Sequence, residues 1–222
     1  MTSPLVLCPL AIERKAFARF GKAAVQQFGW GAARMQMAMD RLAQGRLPSL
    51  VVLFGTAGGL DHALPQGTAY LITSVASSDP SLSTIEAPAL PSKLLSEHKT
   101  ARVVESATIV STPEARNALA AQSGAQLVDM EAYTFAQCAI AMNLPWAVVR
   151  CVSDGAGETL IPELASILNQ NGDAKLGTII TSILRRPSLL PQLYTLQRQT
   201  NFALKNGAFL ADALCCAHEE QA

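Results

Sequence analysis

Three short apolar runs, Leu5 to Cys8, Leu50 to Phe54 and Ala147 to Val152, constrain this chain more tightly than any other feature. Each is rich in Val or Leu and bounded by turn or polar residues, the pattern of a strand covered on both faces. Only Arg150 interrupts the last of them. Two further strands are expected at Thr68 to Val75, after the Pro65-Gln66-Gly67 turn, and at Arg102 to Val110, closed by Ser111-Thr112-Pro113. Ile12 to Phe20 and Ala32 to Gln44 carry apolar residues three and four apart, the helical period. Pro113 to Gln122 opens with Thr112 as a cap and Pro113 in first position, and Glu131 to Met142 reads as a buried helix. Residues 77 to 92, rich in Ser and Pro, predict an irregular loop. Beyond Leu160 the chain reads as helices broken at Asn171-Gly172 and Pro187. Strands alternating with helices predict an α/β fold: one domain over 1–222, with a central mixed, mainly parallel sheet flanked by helices. A helical C-terminal tail is expected from about 160 to 222. Ligands of such sheets bind beyond the carboxyl ends of the strands.

Composition removes several function classes. Seventeen basic side chains balance 17 acidic ones, so no global field draws nucleic acid or an anionic membrane. No apolar run is long enough to span a bilayer. The five cysteines form no CxxC pair, the three histidines have no ligand spacing, and no metal or cofactor is expected. An odd cysteine count without a leader-like N-terminus predicts a cytoplasmic protein.

Three motifs carry possible chemistry, and each alone has an ordinary explanation. Gly55-Thr56-Ala57-Gly58-Gly59 lets backbone N–H groups approach an anion or a sugar, and Thr56 adds a hydroxyl; a tight strand-to-helix turn explains it as well. Asp129-Met130-Glu131 falls where a helix is expected to begin, and two acids in a first turn simply complement the dipole. Alternatively, Glu131 grips vicinal hydroxyls, since a carboxylate accepts two hydrogen bonds at once. Ser153-Asp154-Gly155 ends a buried strand, although Asp-Gly is also a common turn.

Together, in this order and spacing, the strings GTAGGLDHALPQGT, VDMEAYTFAQCA and LPWAVVRCVSDGAGE resemble the purine nucleoside phosphorylase and methylthioadenosine/S-adenosylhomocysteine nucleosidase superfamily. The resemblance covers roughly residues 5 to 158, and the segment LGTIITSILRRPSLLPQLYTLQRQTNFAL is similar to the tail of the hopanoid-associated phosphorylase subgroup. It implies a homo-oligomeric enzyme that cleaves the N-glycosidic bond of a purine nucleoside, with an adenosine linked to a hopanoid lipid (adenosylhopane) as one candidate substrate. Asp154 would protonate the departing purine, with Ser153 positioning it. Glu131 would hold the ribose hydroxyls beside Met130, and Glu13 would hold an attacking water. Thr56, Ala57 and Gly58 would contact the ribose or the nucleophile.

Two departures leave alternatives open. The stretch before the Gly-rich segment lacks the arginine that phosphorolytic relatives carry, so water and phosphate, the latter as co-substrate, both remain candidates; Arg34 or Arg150 would have to supply the cation. The segment before Met130 lacks an aromatic to stack on the base, leaving Phe54, Trp30 or Tyr133. The competing readings are a catalytically inactive nucleoside-binding protein of the same fold and a nucleosidase of the futalosine or methylthioadenosine type.

Overall fold

A computed structural model of the chain describes residues 2–160 and 189–220. Eight strands form one sheet: β1 (Leu5–Cys8), β2 (Ala24–Gln27), β3 (Val51–Gly59), β4 (Ala69–Ser77), β5 (Ile85–Glu86), β6 (Thr100–Glu105), β7 (Leu127–Asp129) and β8 (Trp146–Asp154). The helices are α1 (Ala11–Phe20), α2 (Ala32–Ala43), α3 (Ser92–Glu97), α4 (Pro113–Ser123), α5 (Ala132–Ala141) and α6 (Leu189–Glu219). The helical tail is therefore present from Leu189; residues 161–188, which hold the first part of the tail segment compared above, lie outside the described residues. Among the described residues no helix is long and apolar enough to cross a membrane.

Parallel pairs dominate, but antiparallel contacts of β3 with β7, β4 with β8 and β4 with β5 make the sheet mixed. Its pairings also close on themselves. β3 pairs with β8, β8 with β4, β4 with β6, β6 with β7, and β7 returns to β3 at Gly58 and Gly59. β1 and β2 extend from the lower half of β3, where Leu5 to Leu7 match Val51 to Leu53.

Strand alternation sorts the core into two sides. Val6, Cys8, Val52, Phe54, Val149 and Cys151 pack with Phe17 of α1 and with Ala203, Leu204, Ala208 and Ala211 of α6. Leu7, Val51, Leu53, Val148 and Val152 pack with Met35 and Met39 of α2 and Phe135, Ala136 and Ala139 of α5. The runs were legible because both faces of these strands are covered.

Gly207 lets α6 lie against the sheet. A Cβ there would stand 2.2 Å from Cys151 Sγ and 2.8 Å from Phe54 Cε2, both fully buried residues. Gly207→Ala is expected to destabilise the protein by about 1–3 kcal/mol despite the better helix propensity of Ala. A urea melt checks this, and adding Cys151→Ala should recover part of the loss.

Several expectations need correction. The Gly-rich segment is no turn into a helix: β3 runs straight through it to Gly59. Asp129 does not open a helix but ends β7, and Glu131 is the residue that precedes the first turn of α5. The strand expected to reach Val110 stops at Glu105, because Ser106 turns the chain by donating its hydroxyl to Thr108 O. β2, with the alternating polar sequence AVQQ on the sheet edge, and the three-residue β7 gave no apolar run to read.

Candidate active site

β3 changes partner midway, and the site grows from that change. β1 accompanies it through Leu53 and β7 takes over at Gly58, so among the described residues no strand flanks that edge in between. Glu13, at the start of α1 and 1% exposed, reaches into the gap. Its Oε1 accepts from the Thr56 backbone N–H at 2.8 Å and from Thr56 Oγ1 at 2.9 Å, and its Oε2 accepts from Leu10 N–H at 2.8 Å. Gly55 makes room for it: a Cβ there would lie 2.8 Å from Glu13 Oε1 and 2.7 Å from Arg150 Nη1. Burial pushes the Glu13 carboxyl above its ordinary range, against the pull of these donors and of Arg150.

Arg150 leaves the middle of β8 fully buried between carboxylates. Nε donates to Asp129 Oδ2 at 2.7 Å, and Nη2 lies 3.3 Å from Glu131 Oε2. Burial alone would lower Arg150, but Asp129, Glu131 and Glu13 outweigh it and raise it. Glu131 also accepts from Gly31 N–H at 2.7 Å; burial raises its carboxyl to about 8, while Arg150 pulls it down. Asp129 meanwhile accepts from Glu131 N–H and Ala132 N–H, satisfying free donors at the start of α5.

Glu105, the last residue of β6, holds the same helix end by accepting from Thr134 N–H and Thr134 Oγ1, both at 2.8 Å. Burial raises it from 4.5 to about 7. The folded chain then keeps a proton that the unfolded chain releases near 4.5, so stability is expected to fall as pH rises from 4.5 to about 7. Urea midpoints across that range check this. Glu105→Gln should flatten the dependence; an equally steep fall in the variant would refute the assignment.

Asp154 ends β8 in a third cluster. Ser153 Oγ donates to its Oδ1, and Arg116 Nη2 donates to its Oδ2. Arg116 comes from α4 and is 1% exposed. Its other donors go to backbone carbonyls, Nε to Val110 at 3.1 Å and Nη1 to Gly59 at 3.2 Å and to Gly155 at 2.6 Å. The end of α4 is fixed by Thr112, whose hydroxyl accepts from Ala115 N–H as expected of a cap.

One cleft, with a cavity volume of about 170 Å³, joins the three clusters. Glu13, Glu131 and Asp154 all line it, as do Thr56, Ala57, Gly58, Met130 and Ser153, with Pro9, Leu10, Ile109, Val110 and Leu160 giving it apolar walls. Of the three candidate stacking residues only Trp30 lines it. Phe54 packs on Phe17 in the core, ring centroids 5.8 Å apart, and Tyr133 donates its hydroxyl to Ser83 O. Of the two suggested phosphate cations, Arg150 is paired with Asp129 and Glu131 while its Nη1 has no hydrogen-bond partner among the described residues, and Arg34 lines a separate groove beside Gln26 and Arg41. His62 lies against Gly157 and does not line the cleft. Arg116 and Asp129 are the charged lining residues that sequence reasoning missed. Asp129 stands beside the Met-Glu pair, whereas Arg116, within PEARNAL, looks like any surface helix residue. Among the described residues no group of His, Cys, Asp and Glu is arranged to hold a metal ion.

A mixed sheet that closes on itself, with an acid-lined cleft at the carboxyl ends of β3 and β8, defines an α/β protein whose candidate site combines carboxylates with apolar walls. Residues 16–185 match the sequence profile of the Phosphorylase superfamily, and the chain belongs to that family. No curated protein sequence matches it. Among solved structures it is similar to a 5'-methylthioadenosine/S-adenosylhomocysteine nucleosidase from Colwellia psychrerythraea 34H in complex with adenine, at 15% identity and TM-score 0.71, over 97% of this chain and 95% of that one. Futalosine hydrolase of Helicobacter pylori strain 26695 shares 15% identity and a TM-score of 0.67 over 100% and 98% of the two chains. The nucleosidase from Neisseria meningitidis in complex with methylthio-immucillin-A shares 14% identity and a TM-score of 0.71 over 98% and 100%.

Proposed function

We propose that this protein hydrolyses the N-glycosidic bond of a purine nucleoside, with water rather than phosphate as nucleophile. The observation that carries this reading is the place of Glu13. The donors of Thr56, which would welcome a phosphate oxygen, already serve a buried carboxylate. A phosphate dianion there would meet that charge, and the guanidinium beside it, Arg150, is already paired with Asp129 and Glu131. A neutral water suits the same spot, with Glu13 as the base that takes its proton.

The other roles follow from charge. As the bond to the base lengthens, the ribose becomes cationic, and Glu13, Asp129 and Glu131 surround the single guanidinium of Arg150 with an excess of carboxylates. Each oxygen of Glu131 has one neighbouring donor, Gly31 N–H or Arg150, and keeps accepting capacity for ribose hydroxyls. A growing positive charge draws the buried Glu131 into its ionised form. Asp154, with Ser153, serves the departing base in the same cleft.

The nucleosidases named above, one bound to adenine, support adenine as the base. The apolar walls favour an uncharged, apolar substituent on the ribose, and adenosylhopane is one nucleoside of that kind. Adenine release from 5′-methylthioadenosine, assayed with and without phosphate, tests the reaction. Free ribose ends in both assays support hydrolysis, sugar phosphate made only with phosphate present supports phosphorolysis, and tight binding without release supports a non-catalytic nucleoside binder.

A further inference from the structure

Arg116 is costly to build. It is buried, it sits near the N-terminal end of α4 where the helix dipole disfavours a cation, and α4 would pack as well with an apolar side chain there. What the guanidinium gains is a fixed set of acceptors: carbonyls 110, 59 and 155, each from a segment that borders the cleft, and the Asp154 carboxylate. Four of its five N–H donors are thereby engaged, and Asp154 is gripped on both oxygens, by Arg116 on one and Ser153 on the other. No acid besides Asp154 pairs with it among the described residues. Glu13, Asp129, Glu131 and Arg150 make their hydrogen bonds in the other two clusters.

We propose that Arg116 is a positioning residue for departure of the base: it holds Asp154 in the one orientation that serves the leaving group, and takes no part in the attack on the sugar. This inference rests on the proposed hydrolase reading. The bond cleaved is that between the sugar carbon and the base nitrogen. Its electron pair goes to the base, which takes up a proton at a ring nitrogen from the Asp154 carboxyl; water supplies the oxygen that bonds to the sugar, and the water proton passes to Glu13.

The test compares two probes whose leaving groups need different amounts of help, each variant being read against wild type on the same probe. 5′-Methylthioadenosine releases adenine, a poor leaving group. p-Nitrophenyl β-D-ribofuranoside releases nitrophenolate, which departs unaided. Arg116→Lys, which keeps the charge but not the planar fork, and Arg116→Met are each assayed on both with the full chain. The ratio of kcat/KM between probes is read from the same folded molecules, so it does not depend on how much of a variant folds. The expected result is a loss of roughly 10²-fold on the purine probe for Arg116→Met, the size of one removed electrostatic contact, a smaller loss for Arg116→Lys, and less than about tenfold on the nitrophenyl probe for either. Equal losses on both probes, or no loss on either, would overturn the proposal while leaving the hydrolase reading intact. Wild-type protein that cleaves neither probe would overturn that reading and this inference with it.

Discussion

Glu13→Gln is expected to lower kcat for purine release by roughly 10²–10⁴, the range for losing a general base. The substitution preserves size but removes the group that would accept the proton of water. Burial has already raised the Glu13 carboxyl, which makes its ionised form the stronger base. The amide also cannot repeat the hydrogen bonds: Glu13 accepts from Leu10 N–H on one oxygen and from Thr56 on the other, and Gln offers only one acceptor. Some local loosening is expected beside the catalytic loss. Single-turnover base release separates the two effects, because a folded fraction measured by circular dichroism corrects for the first. A variant that keeps turnover within about tenfold of wild type would remove Glu13 from the base role.

Asp154→Asn should reduce purine release by a similar factor, for a different reason. Asp154 lines the same cleft as Glu13 and Glu131 and is the group proposed to serve the departing base. An amide keeps the shape but cannot pass a proton to a ring nitrogen or balance Arg116. The second loss has its own consequence. Breaking a buried ion pair from one side costs about 3–5 kcal/mol, a large share of a typical 5–15 kcal/mol stability. Asp154 and Arg116 are 6% and 1% exposed, so the pair falls in that class. The variant is therefore expected to melt earlier as well as turn over slowly. Full activity per folded molecule would refute the role of Asp154.

The sequence disclosed the fold where structure is local. Val6, Val52 and Val149 lie in apolar runs because both faces of those strands are covered, and α4 showed its start through Thr112 and Pro113. It hid what depends on distant pairing. Closure of the sheet rests on Gly58 and Gly59 meeting Val128 and Leu127, a contact across the chain that no periodicity encodes. The site divides the same way. Glu13, Glu131 and Asp154 were named from ordered motifs and a family resemblance, and they share one cleft. Arg150 was visible as the one charge in an apolar strand, but only its partners Asp129 and Glu131 show that it is occupied. Arg116 left no trace, because a helix residue becomes a buried partner of Asp154 only once α4 is laid beside β8.

Along the edge of β3 that no described strand pairs between Leu53 and Gly58, a side-chain carboxylate stands where the carbonyl of a neighbouring strand would normally receive the Thr56 amide. The group assigned to the chemistry is thus also a rung of the scaffold. Evolution cannot trade it for a purely structural residue without opening the ladder, nor heal the ladder with another strand without sealing the cavity. If the proposed role holds, selection for a sound backbone and selection for a reactive carboxyl act here on the same side chain.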